Sequence, residues 1–158
     1  MLNNSRYKNI ATATTFVWIG FVCAISFMEA WLKFQAPGID TRLGVGIGKL
    51  VFTALNKVEI TALIVIMICS IVYKRHFNLS AIPLVLLSTI LAIQTFWLLP
   101  QLSQHADQLI NSGTASKSYH HILYVLLEVL KIIALLTLGI SLFRYRVSNR
   151  ILTKNLSS

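Results

Sequence analysis

Residues 119–143 read YHHILYVLLEVLKIIALLTLGISLF. The stretch has no proline, and from His121 to Phe143 its only formal charges are Glu128 and Lys131. At ~1.5 Å per helical residue it reaches beyond the ~30 Å of a bilayer's hydrocarbon core. A run this long and apolar predicts a transmembrane helix. The two opposite charges, three residues apart, fall on one face of it. A carboxylate at that depth costs several kcal/mol, on the order of 2.5–3.5 by insertion scales, unless something compensates it.

The rest of the chain repeats the theme. Its 158 residues are 56% hydrophobic and only 12% charged, with a mean hydropathy of +0.71. A soluble domain averages about 25% charged residues. The chain therefore reads as an all-α membrane protein, one domain over residues 1–158 with no room for a separate soluble domain. Apolar stretches at about 10–36, 45–73, 80–112 and 119–143 predict an antiparallel four-helix transmembrane bundle. The third is apolar to about 104 and amphipathic beyond. The first stretch follows Lys8 as a signal peptide would. Its apolar region is too long for one and no A-x-A site follows, so it reads as a retained helix.

The net charge of +9 is unevenly placed. Arg6 and Lys8, then Lys74 and Arg75, then Arg144, Arg146, Arg150 and Lys154 fall in three segments that share one side of an even-numbered bundle. Those segments contain no acid. The other two loops mix Lys33, Arg42, Lys49 and Lys117 with Asp40 and Asp107. The positive-inside rule then places both termini in the cytoplasm of a bacterial inner membrane, with multiple crossings. Anionic headgroups account for the basic tail, and no nucleic-acid partner is expected.

Local signals mark the joints. Pro37-Gly38 ends the first helix. Gly44-x-x-x-Gly48 opens the second and permits close helix packing. It is no phosphate cradle, because Leu50 rather than Ser or Thr follows Lys49. Ser80 is expected to cap the third helix, with Pro83 in its first turn. Pro100 is expected to kink it near its outer end. Trp31, Trp97, Tyr119, Tyr124 and Tyr145 fall near the predicted interfaces, as an aromatic belt would. Cys23 and Cys69 form no CxxC and read as small apolar fillers.

Three of the five acidic residues, Glu29, Glu59 and Glu128, lie inside apolar stretches. Counting residues places Glu29 and Glu128 ~10 Å, and Glu59 and Lys131 ~15 Å, below the outer surface. His121, Tyr124, Glu128 and Lys131 follow i, i+3, i+7, i+10 on one helix face. Gln94, Gln101 and His105 follow i, i+7, i+11, and Asn56 and Glu59 are i, i+3 neighbours. Intramembrane polar groups normally face the bundle interior. The expectation is one outward-open pocket holding Glu29, Asn56, Glu59, Gln94, Gln101, Glu128 and Lys131 as ligand- or proton-binding groups, with His105 and His121 at its rim.

Three functions are compatible with such a pocket. The leading one is binding of a transition metal, with His105, His121, Glu59 and Glu128 as ligands. Carboxylates and imidazoles on facing helices suit Zn, Fe or Mn. The Glu-x-x-His pair of di-iron bundles is absent. The second is proton-coupled transport of a small cation by a dimer, since one such protomer is too small for an alternating pathway. The third is a structural or accessory subunit, in which Glu residues only pair with Lys33, Lys57 and Lys131. The bilayer is the first partner, with a homo-oligomer or a larger membrane complex as the next. No nucleophile–base pair or cofactor motif stands out, so no reaction is assigned.

The segment Phe27-Met28-Glu29-Ala30-Trp31-Leu32-Lys33-Phe34, followed by a Gly-rich turn and Ala54-Leu55-Asn56-Lys57-Val58-Glu59, resembles a poorly characterised group of bacterial four-helix membrane proteins. That group is similar in turn to a eukaryotic transmembrane family linked to platinum-drug resistance. Gly44 or Gly48, Phe52, Asn56, Glu59 and His121 carry the resemblance. It implies the four-helix architecture, and one site shared by Asn56, Glu59 and His121. Glu128 departs from the pattern by being acidic.

Overall fold

The computed structural model describes the backbone of residues 2–72, 77–112 and 119–155, and the side chains of 6–72, 81–112 and 119–143. Lys74, Arg75, His76 and Lys117, and the side chains of Ser80, Arg144, Tyr145, Arg146, Arg150 and Lys154, lie outside these described residues. Every described element is helical: α1 (Leu2–Val22), α2 (Ala30–Leu32), α3 (Thr41–Val72), α4 (Phe77–Ile93), α5 (Leu99–Ser112) and α6 (His120–Asn155). A π-helical segment, Cys23–Glu29, joins α1 to α2, and the 3₁₀ turn Lys33–Gln35 ends that rod. A second π-helical segment, Gln94–Leu98, joins α4 to α5. The result is four long rods, each with a stretch apolar enough to cross a membrane: Arg6–Gln35, Thr41–Val72, Ala81–Ser112 and His120–Phe143.

The rods form a closed helical bundle. α1 packs on α3 and α6, α4 packs on α6 and α3, and α5 packs on α3. Its apolar core includes Trp18, Val22, Ile66, Leu87, Leu135 and Leu138, all buried. The outside is apolar too. Phe96 is 83%, Ile82 78% and Leu50 73% exposed, which suits lipid tails rather than water. Hydroxyls on this background are satisfied locally. Thr12, Thr15, Thr53, Thr61, Ser70, Ser88, Thr89 and Thr95 each donate to the carbonyl four residues back.

The joints largely follow the expected signals, with some shifts. Ala36 is extended before Pro37 and Gly38 takes φ 82°, so the first rod stops there. α3 begins at Thr41, earlier than the apolar pattern implied, because Asp40 Oδ1 accepts the Leu43 N–H at 2.8 Å as an N-cap. α4 begins at Phe77, so Ser80 lies within its first turn and is not the cap. Pro100 sits just beyond the π-helical segment. A proline at 100 cannot tolerate a regular carbonyl at Phe96, four residues back, and the wider π turn there relieves that clash. α6 runs on to Asn155 rather than ending near 143. No Gly or Pro interrupts residues 144–155, so nothing stops the helix.

The paired glycines pack within the chain. Adding a Cβ at Gly44 would overlap the Phe34 ring, and one at Gly48 would stand 2.8 Å from Lys33 Nζ. Both glycines thus let the end of the first rod lie against the start of α3.

Candidate functional site

Lys131 sits at the centre of the bundle, completely buried. Its ammonium lies 2.6 Å from Glu59 Oε1 and 2.8 Å from Glu128 Oε1. All four rods supply the surrounding groups. Trp18 of α1 donates its indole N–H to Glu59 Oε1 at 3.0 Å. Ser26, in the first π-helical segment, donates to Glu128 Oε2 at 3.2 Å. Gln94, in the second, donates to Glu128 Oε1 at 2.8 Å. Tyr124, one turn before Glu128 and buried, interacts with the same carboxylate.

Both π-helical segments therefore aim a polar side chain at Glu128. A π turn adds a residue to the helical repeat and rotates everything beyond it. Such turns occur frequently at functional sites. In the first rod the rotation brings Ser26 onto the inner face. Glu29, three residues on, turns away and pairs with Lys33 at 3.5 Å. That ion pair is too loose to be a hydrogen bond, and neither Glu29 carboxylate oxygen has a hydrogen-bond partner among the described residues.

The charge count is the decisive electrostatic fact. Two carboxylates meet one ammonium, with side-chain exposures of 0–1% for all three. Fully ionised, the cluster carries one excess negative charge in a fully buried site. Two acceptors also have no partner among the described residues, Glu59 Oε2 and Gln94 Oε1, both buried. The arrangement can hold one further proton or one small cation.

The remaining candidates lie elsewhere. Asn56 is buried and donates to Thr95 Oγ1 at 2.9 Å, in a separate pair. Gln101 and His105 are half-buried, with no hydrogen bond or ion pair among the described residues. His121 is exposed and lines a cavity of about 270 Å³ together with Lys33 and Lys49. Glu29, Glu59, Gln94 and Glu128 do not line it. The phenyl ring of Phe52, on the cavity wall, meets Tyr124 edge-on with centroids 5.3 Å apart, and Tyr124 lies against the carboxylate cluster. The single open pocket read from helical spacing is thus two compartments, one polar and sealed, the other apolar and open.

Among the described residues no three His, Cys, Asp or Glu side chains come together as a metal site would need. Between Glu59 and Glu128 stands the Lys131 ammonium, and neither His105 nor His121 reaches them. Lys57, expected to pair with a glutamate, is exposed and has no partner among the described residues. Lys131 serves Glu59 in its place. Sequence reasoning missed Trp18 and Ser26. A tryptophan in an apolar span reads as core or belt, and Ser26 reaches Glu128 only through the π turn.

Four long apolar rods with apolar exteriors, closed around a charged cluster, have the makings of a multi-pass helical membrane protein. Comparisons with protein-family models, with curated proteins and with solved structures find no match to this chain.

Proposed function

We propose that this is a proton-coupled membrane protein in which the Glu59–Lys131–Glu128 cluster carries an exchangeable proton, and that it exchanges this proton for a small cation. The observation that carries the reading is the unequal count of two carboxylates to one ammonium in a fully buried site. A purely structural ion pair needs one of each. A second carboxylate adds cost with no packing gain over an apolar residue. A proton on either carboxyl brings the cluster to neutrality. A cation arriving at Glu59 Oε2 or Gln94 Oε1 would displace it, which is the elementary step of coupling.

In this reading the rods run antiparallel with both termini in the cytoplasm of a bacterial inner membrane, oriented by the basic N-terminus and tail. The working unit is a dimer, because one four-rod protomer is too small to alternate its access alone. Transition-metal binding draws less support, since Lys131 occupies the space between the carboxylates.

The test is proton release from dye-loaded vesicles containing the purified protein, driven by gradients of sodium, potassium or tetramethylammonium. Cation-dependent release is expected from the wild type and from Glu29→Gln. It is expected to vanish in Glu59→Gln and Glu128→Gln. Equal fluxes from wild type and Glu128→Gln would overturn the proposal. So would stoichiometric metal in the wild-type protein that is lost in Glu59→Gln.

A further inference from the structure

The open cavity is a candidate site distinct from the charged cluster. Its most unusual wall is Lys33, whose side chain is only 9% exposed. The ammonium stands 5.5 Å from the centroids of both Phe34 and Phe52 and rests against Gly48, where any Cβ would come within 2.8 Å of it. It donates no hydrogen bond among the described residues. Its ion partner, Glu29, is 3.5 Å away with both oxygens buried, so Glu29 neutralises the charge without using the ammonium's donors. The other lysine on the wall, Lys49, is matched at 2.7 Å by both oxygens of Asp107.

The cavity is therefore electrically balanced, largely apolar, and equipped with unspent hydrogen-bond donors. We propose that it binds a neutral, mainly apolar molecule carrying one acceptor oxygen of the carbonyl class, which Lys33 Nζ engages while Phe34, Phe52, Leu99 and Leu102 enclose the apolar part. An anion would find both ammonium charges already compensated. A hydrocarbon would leave the Lys33 donors unmet, and a buried donor without a partner is disfavoured. The volume of about 270 Å³ falls just short of the roughly 300 Å³ at which drug-sized sites begin, which suits a small, single-ring molecule.

The experiment uses fluorine NMR on the full chain in detergent with three probes of similar size: 4-fluoroacetophenone, 1-ethyl-4-fluorobenzene and 4-fluorobenzoate. The ketone is expected to bind saturably and about fivefold more tightly than either alternative, the worth of one hydrogen bond. Lys33→Met is expected to bring the ketone down to the hydrocarbon's affinity while leaving the hydrocarbon unchanged. Should that variant fold poorly, Lys33→Met with Glu29→Gln keeps the pair neutral and is expected to give the same result. Leu102→Trp fills the cavity and is expected to abolish saturable binding of all three. Absence of saturable ketone binding overturns the proposal, as does equal binding of ketone and hydrocarbon, tightest binding of the benzoate, or a ketone preference that survives Lys33→Met. The charged cluster is untouched by these variants, so the vesicle experiment above stands or falls separately.

Discussion

Replacing Lys131 by methionine and Glu128 by glutamine should have very unequal effects on stability. Lys131 is completely buried between carboxylates at 2.6 and 2.8 Å. Methionine keeps most of its volume but removes the cation, leaving two carboxylates sealed together. Removing one partner of a buried pair costs about 3–5 kcal/mol, roughly a hundred- to several-thousandfold in the unfolding equilibrium. Glutamine at 128 retains one oxygen that can accept from Lys131, and its new amide N–H can be met by Gln94 Oε1, which has no other partner among the described residues, or by the Ser26 hydroxyl. The Glu59–Lys131 pair survives, and the cluster is neutral without a bound proton. Its cost should stay under about 1 kcal/mol, the range of one hydrogen bond. The gap of at least ~2 kcal/mol is about thirtyfold in equilibrium constant. Reversible unfolding in mixed micelles, followed by helical circular dichroism, measures both variants. If Glu128→Gln costs as much as Lys131→Met, each carboxylate is needed for neutrality and the excess-charge reasoning is wrong.

Other substitutions probe separate parts of the structure. Trp18→Phe keeps one six-membered aromatic ring but removes the pyrrole ring, with its N–H donor to Glu59, from a fully buried position. It should cost about 1–3 kcal/mol in the same unfolding measurement. Glu29→Gln loosens only the peripheral pair with Lys33, so its proton flux should match the wild type in vesicles, and a large loss would place Glu29 in the functional cluster. Lys57→Leu removes from the middle of α3 an exposed charge that has no partner among the described residues. Membrane insertion of that segment, scored in a translocation assay, should improve by about 3 kcal/mol; no improvement would mean that Lys57 is covered or paired in the membrane.

The four rods could be read from hydropathy because a bilayer demands long apolar runs whatever their partners. The meeting of Glu59, Gln94, Glu128 and Lys131 was also legible. Each lies on a polar stripe, and polar stripes turn inward in lipid. Helical spacing failed where the helix itself changes. The π-helical Cys23–Glu29 segment breaks the regular repeat, so Ser26 reaches Glu128 while Glu29 leaves the group. Nothing in the sequence CAISFME announces that turn. The partner choice of Lys131 was half visible, since Glu128 is three residues away. The longer reach to Glu59 depends on how α3 packs beside α6, which one-dimensional spacing does not encode. His121 shares the stripe of Tyr124 and Glu128, but Phe52 and Tyr124 close off the space between, and so the histidine faces the apolar cavity.

Infrared spectroscopy of the protein in lipid, at neutral pH, reads the protonation of buried carboxyls directly. With two acids sharing one ammonium, the wild type should show the carbonyl stretch of a protonated carboxylic acid, and both Glu59→Gln and Glu128→Gln should lose it. A wild-type spectrum without that band, or a band that persists in both variants, would contradict a shared proton at the centre of the bundle.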